Sequence, residues 1–223
     1  MSEPTLNTFL NIDCMEYMRT VPDKYFELAI VDVPYGIKQG GDKNKTRGKL
    51  AISKDYHSFN DDKPPEQIYY DELFRISKNQ IIWGANHFIS KMPFDSSCWI
   101  VWDKDNDESD FADCELAWAS FNTTIRIFRF RWNGMLQGDM GNKEMRIHPT
   151  QKPVALYRWL LKKYAKEGDK ILDTHVGSGS SLIACKELGF DYVGCEIDQD
   201  YFEAAQKRIN KSFRKYELFE GLK

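Results

Sequence analysis

The chain has 223 residues, 42% of them hydrophobic and 14% aromatic, enough apolar material for one large domain or two small ones. A net charge of −3 gives no global sign of a polyanion partner, and no apolar run approaches the roughly 18 residues of a membrane-spanning helix. Five cysteines, an odd number without C-x-x-C spacing, argue against a disulfide framework and against a zinc cluster.

From the N-terminus, MSEPTLNTFLNID lacks the basic start and long apolar stretch of a secretory signal, so the expected compartment is the cytoplasm. ELAIVD (27–32) reads as a buried strand that stops on Asp32 and meets Pro34 and Tyr35 at once. Between Lys38 and Lys54 lie six basic residues (Lys38, Lys43, Lys45, Arg47, Lys49, Lys54) against one acid, Asp42, set among Gly40, Gly41 and Gly48. A local basic loop suits phosphate contact, because counterion release acts where the charges are; a solvated surface loop is the plainer reading. Prolines open a helix over 64–77. Strands follow at 79–84 and 97–102, then an acidic stretch, DKDNDESDFADCE (103–115). TTIRIFRFRW (123–132) is β-prone and basic, suited to a late antiparallel strand or to a substrate-facing segment.

In KPVALYRWLLKKYA (152–165), Leu156, Leu160, Leu161 and Tyr164 share one helical face, and the pattern stops before Gly168. A strand at 169–173, a helix at 180–189, a strand at 191–197 and a helix at 198–213 complete the chain. Continuous apolar runs favour parallel strands covered on both faces, and their alternation with helices predicts an α/β, doubly wound sheet.

ILDTHVGSGSSLIAC (171–185) runs strand, glycine turn, helix. Gly177 and Gly179 allow a tight turn and close approach of a ligand, and 23 residues after Asp173 the next strand ends on Glu196, an acid suited to ribose hydroxyls. The third glycine of a dinucleotide fingerprint is absent, its place held by Leu182, and the turn lacks the Lys and Ser/Thr pair of a phosphate loop. A site for a nucleoside without a pyrophosphate remains, for which S-adenosylmethionine is the common example; a plain strand-to-helix turn stays open on this pattern alone.

A methyl donor needs an acceptor. The lone pair of an exocyclic amine is delocalised into its ring, so a site must hold the NH2 by its hydrogens. Asp32 can accept one hydrogen and the backbone carbonyl beside Pro34 the other, while Tyr35 can stack on a base taken out of its helix. A strand end with an Asx turn and a packed tyrosine is the alternative.

Three motifs together resemble a family. DVPY (32–35) resembles the D-P-P-Y motif of the DNA amino-methyltransferases, DTHVGSGS (173–180) resembles their D-P-F-x-G-S-G-T motif, and HPTQKP (148–153) is similar to their H-P-T-x-K-P element. The catalytic motif precedes the cofactor motif, which resembles the β group of these enzymes, a circularly permuted arrangement of the Rossmann-like methyltransferase sheet. The resemblance implies S-adenosylmethionine as cofactor and double-stranded DNA as partner. It further implies that Asp32, Pro34 and Tyr35 hold the target amine and base, with Asp32 also reaching the cofactor. Gly177, Ser178 and Gly179 would wrap the methionine part, Asp173 would face its amino group, Glu196 the ribose and Asp13 the adenine edge, with Thr150 and Lys152 helping. Val33, Thr174 and His175 depart from the motifs, and His175 stands as a polar substitute for the missing ring. Scattered histidines predict no metal site.

An acid in the catalytic motif leans toward adenine N6, since members that methylate cytosine N4 more often carry serine there. Cytosine N4, an RNA or protein amine, and a catalytically inactive nucleic-acid binder remain alternatives; a nicotinamide oxidoreductase is disfavoured. DNA contact is expected from Lys43, Lys45, Arg47 and Lys49 in the insertion at 36–63. It is also expected from Arg126, Arg129 and Arg131 in a small recognition region at 123–147. The length suits a single methyltransferase domain, 1–223, with a homodimer as one way to supplement recognition.

Overall fold

The computed structural model describes residues 3–37, 63–106, 112–133 and 136–220; Lys43, Lys45, Arg47 and Lys49 lie outside them. In chain order the elements are β1 (Thr8–Asn11), α1 (Cys14–Thr20), β2 (Phe26–Val31), α2 (Gln67–Ile76), β3 (Ser77–Trp83), β4 (Cys98–Asp103) and β5 (Cys114–Ala119). There follow β6 (Arg126–Arg129), β7 (Trp132–Asn133), β8 (Leu136–Gln137), α3 (Val154–Tyr164), β9 (Lys170–Asp173), α4 (Ser180–Leu188), β10 (Asp191–Glu196) and α5 (Gln199–Glu220).

Eight strands form one sheet in the order β1-β10-β9-β2-β3-β5-β4-β6, in which β5 alone runs against the others. Strand β2 shows why its sequence is apolar throughout. Leu28 and Ile30 join a cluster with α3 and α4, whereas Ala29 and Val31 join a cluster with α1 and α2 on the other face. Both faces are buried, so no polar alternation is needed.

The topology places the site. Strand β2 continues through α2 to β3 on one side, and β9 continues through α4 to β10 on the other. Because β2 and β9 are themselves paired, Leu28 with Ile171 and Ala29 with Leu172, the winding reverses between them. A crevice at the carboxyl ends of the two strands follows from that reversal.

Strands β2, β3, β4, β9 and β10 and helices α2 to α4 stand within a few residues of the sequence expectation, whereas α5 runs to Glu220, seven residues beyond its expected end at 213. One expectation is corrected. Strand β6, within 123–132, runs parallel to β4, with Ile100 opposite Arg126 and Asp103 opposite Arg129. The reason lies in β5, which runs back between β3 and β4; the chain then starts β6 from the amino end of β4. Short β1, α1 and β5 stand where the sequence pattern predicts no element. No described helix is long and apolar enough to cross a membrane.

Candidate active site

Asp32 follows the last residue of β2, and its carboxylate meets Lys152 from the segment before α3: Lys152 Nζ lies 2.5 Å from Asp32 Oδ1 and 3.0 Å from Glu115 Oε2. Lys152 also donates to the Tyr35 hydroxyl at 3.1 Å, and Tyr35 donates to Asp32 Oδ1 at 2.7 Å. The ammonium sits over the rings of Tyr35 and Trp83, at 5.5 and 5.3 Å from their centroids. Only 2% of the Lys152 side chain is exposed, so it depends on these partners for its charge. Burial alone would depress its pKa; Asp32 and Glu115 outweigh burial and raise it.

The two carboxylates that share Lys152 differ. Burial raises Asp32 above the ordinary carboxylate range, with Lys152 opposing and Glu115 adding to the rise. Burial also pushes Glu115 upward, but Lys152 and Lys104, the latter at 2.6 Å, overcome it and hold Glu115 at about 2. Glu115 is a fixed anion and Asp32 a basic one.

The Tyr35 ring lies against Gly84, where a Cβ would meet ring carbon at 2.1 Å, and the backbone there has φ +71°. Only glycine satisfies both conditions. His87 lies near-parallel to the ring at 5.4 Å.

Across the crevice, β9 ends on buried Asp173, which accepts from Ser181 Oγ and from the His175 amide. Burial lifts its pKa to about 7; those two bonds oppose the rise, and Asp32 and Glu196 add to it. Gly179, with φ +81°, caps α4, where a Cβ would strike Ile209 at 2.8 Å. Ser178 is buried and contacts Ser180 Oγ at 3.1 Å. The Gly177 amide donates to Glu196 Oε2 at 2.9 Å, and the His148 ring, bonded to Thr150, covers Gly177. Ser180 Oγ donates to the Lys152 carbonyl at 2.7 Å, so Lys152 joins the glycine turn through its backbone and Asp32 through its side chain.

A cavity of about 380 Å³ opens beside this crevice, lined in part by Asp13, Glu66, Ile68, His175, Glu196 and Ile197. Ile68 and Ile197 are 57% and 68% exposed, apolar walls that an aromatic ligand would cover. Buried Tyr69 meets Thr174 Oγ1 at 2.6 Å, and Thr174 meets His175 Nδ1 at 2.9 Å. The Thr174 hydroxyl thus ties the α2 tyrosine to the imidazole that lines the cavity. Burial lowers the His175 pKa to about 4, which keeps the ring neutral.

The structure thus gathers Asp32, Tyr35, Lys152 and Asp173 in the crevice, with Gly177 and Glu196 beside them and Asp13 and His175 lining the cavity. The arginines expected to contact DNA spread out. Exposed Arg129 and Arg131 pair with Asp103 and Asp105 near the carboxyl end of β4. Arg126 begins β6 at the opposite end of the sheet, in a cleft with Lys163 and Lys166. Sequence reading missed Glu115 and Lys104. It also missed Arg208, which donates to the Ser178 carbonyl at 2.6 Å and pairs with Glu144, holding the glycine turn from α5. Among the described residues no cluster of three or more His, Cys, Asp or Glu is placed to hold a metal ion.

The chain is 24% identical over 248 residues to the type II methyltransferase M.HinfI of Haemophilus influenzae, covering 92% of this chain and 69% of that protein. The M1.HpyAVI structure solved as a complex with SAM shares its fold, with a TM-score of 0.54 at 20% identity, over 90% of this chain and 98% of the other. So does PvuII DNA methyltransferase, described as cytosine-N4-specific, with a TM-score of 0.57 at 10% identity, over 96% and 93%. The DNA methylase family of N6 and N4 methyltransferases matches residues 15–207, and the chain belongs to it.

Proposed function

We propose that this protein transfers a methyl group from S-adenosylmethionine to the N6 amine of adenine in double-stranded DNA, within one domain that draws recognition from residues 36–63 and 123–147. The observation that carries the reading is the double attachment of Lys152, to Asp32 by its ammonium and to the glycine turn by its carbonyl. A catalytic acid and a cofactor turn held by one residue are within reach of one reacting pair.

The residues fit the cofactor. The cavity volume lies within the roughly 300–1,000 Å³ of small-molecule sites. Ile68 and Ile197 suit the faces of an adenine ring, Asp13 its amino edge and Glu196 the ribose. Gly177, Ser178 and Gly179 suit the methionine part and Asp173 its amino group, with His148 and Thr150 covering the turn. When bound, the cofactor supplies an electrophilic methyl group on a sulfonium.

Asp32 holds the target. Both of its bonds to protein use Oδ1, so Oδ2 is free among the described residues to accept an amine hydrogen. The Pro34 segment offers a carbonyl for the second hydrogen. Tyr35 presents the ring that His87 now faces, and a base extruded from the duplex would take the His87 position. Methyl transfer leaves the amine nitrogen cationic, and Asp32 Oδ2 takes the surplus proton. The acid at position 32, where N4-directed relatives more often carry serine, favours adenine over cytosine.

Incubation with tritiated S-adenosylmethionine and unmethylated DNA, followed by nucleoside analysis, should place label in methyladenine. Label in methylcytosine would overturn the adenine assignment. Asp32→Asn should lower turnover by roughly 10²–10⁴-fold, the usual contribution of an acid–base group; wild-type turnover in that variant would remove Asp32 from the mechanism.

A further inference from the structure

We propose that Glu115 is a positioning residue that shares the Lys152 ammonium and thereby keeps Asp32 basic enough to take the proton released by the methylated amine. This rests on the amine chemistry assigned to Asp32 above.

The geometry is a row of alternating charges that ends at the acid. Lys104 contacts Glu115 Oε1 at 2.6 Å, Glu115 Oε2 contacts Lys152 at 3.0 Å, and Lys152 contacts Asp32 Oδ1 at 2.5 Å. Lys152 has three hydrogens and three acceptors: Asp32, Glu115 and the Tyr35 hydroxyl. Divided in this way, the ammonium orients the Asp32 carboxylate without neutralising it. A lysine facing Asp32 alone would form a tighter pair and leave a poor proton acceptor.

Glu115 reaches the site from β5, the antiparallel strand, with Trp102 of β4 as its register partner. Its own charge is fixed by two lysines, so it is unsuited to receive the proton and suited to stay an anion. The groups that face Asp32 are Lys152 and Tyr157 from the α3 region, Tyr35 from its own segment, Asp173 from β9 and Glu115 from β5. Of these, Glu115 is the anion that competes for the same cation. In the step itself an N–H bond of the cationic amine breaks and an O–H bond forms at Asp32 Oδ2. The proton passes to solvent when the methylated base leaves.

Glu115→Gln and Lys104→Met test this in opposite senses. Without the Glu115 charge, Asp32 is the one carboxylate left on Lys152, beside the neutral Tyr35 hydroxyl, and an anion near Asp32 is lost; both changes lower the Asp32 pKa. The acid limb of the kcat–pH profile should then move to lower pH. The plateau should fall by less than the roughly 10²–10⁴-fold expected of the acid itself. Without Lys104, the whole Glu115 charge bears on Lys152 and draws it from Asp32, so the acid limb should move to higher pH. KM for DNA should change little in either variant.

A merely structural Glu115 would lower stability and leave both limbs in place. Limbs that stay put, or that move in the same direction in both variants, overturn the proposal. Titration of the Asp32 carboxyl by carbon-13 NMR reads the same opposite shifts without turnover. Failure of the wild type to methylate DNA would therefore count against the proposed function, and absent NMR shifts against Glu115.

Discussion

Replacing Lys152 by methionine keeps most of the stem and removes the cation that Asp32 contacts. The side chain is 2% exposed and that of Asp32 16% exposed, so the abandoned carboxylate cannot hydrate fully. Breaking a buried ion pair from one side costs about 3–5 kcal/mol. Glu115 keeps Lys104, so the loss falls mainly on Asp32, and we expect about 3 kcal/mol at neutral pH, the low end of that range. The pH dependence follows from proton binding. Asp32 is already raised by burial, and without Lys152 it rises further, so the folded variant holds a proton that the unfolded chain has released. Stability then falls as pH rises from the ordinary carboxylate pKa through the raised one, and the deficit is smallest in acid. Urea denaturation of both proteins across that window measures it, with equal m-values required for the comparison. A deficit below about 1 kcal/mol, the range of exposed pairs, and flat with pH would refute the buried network.

Two further substitutions address the walls of the site. Gly84→Ala puts a methyl group into the Tyr35 ring at a positive φ, so Tyr35 must leave Asp32. Turnover should collapse, and stability should fall by about 1–3 kcal/mol as expected for strained backbone; a variant with normal kcat and a normal melting point would show that Tyr35 does not need this seat. His175→Phe removes the polar edge of the imidazole from a cavity also lined by Asp13, Glu66 and Glu196. One hydrogen bond of about 0.5–1.5 kcal/mol predicts roughly 2- to 12-fold weaker binding of S-adenosylmethionine by calorimetry. Equal or tighter binding would mean that the imidazole acts only as a ring.

Much of this arrangement was legible in the chain because it is local. Strand β2 announces itself as an apolar run because both faces are buried, and it ends on Asp32 because the sheet ends there. The glycine turn is legible for the same kind of reason: Gly179 carries φ +81° at a helix start, a demand that sequence records directly. Strand β1 and helix α1 left weaker marks. Residues 8–11 lie at the sheet edge and are only partly covered, so their pattern is not continuous. The Asp13 cap of α1 is a common residue in a common role.

Glu115 was hidden for a different reason. It stands in an acidic stretch, where one more carboxylate carries no distinguishing pattern, and its three partners lie 11, 37 and 80 positions away along the chain. Only the reversed course of β5 between β3 and β4 brings the start of that strand to the carboxyl ends of its neighbours. Had β5 run parallel, Glu115 would stand at the opposite end of the sheet, and Lys152 would face Asp32 alone. The direction of one strand therefore decides whether Asp32 shares its cation, and strand direction is a property of the whole sheet.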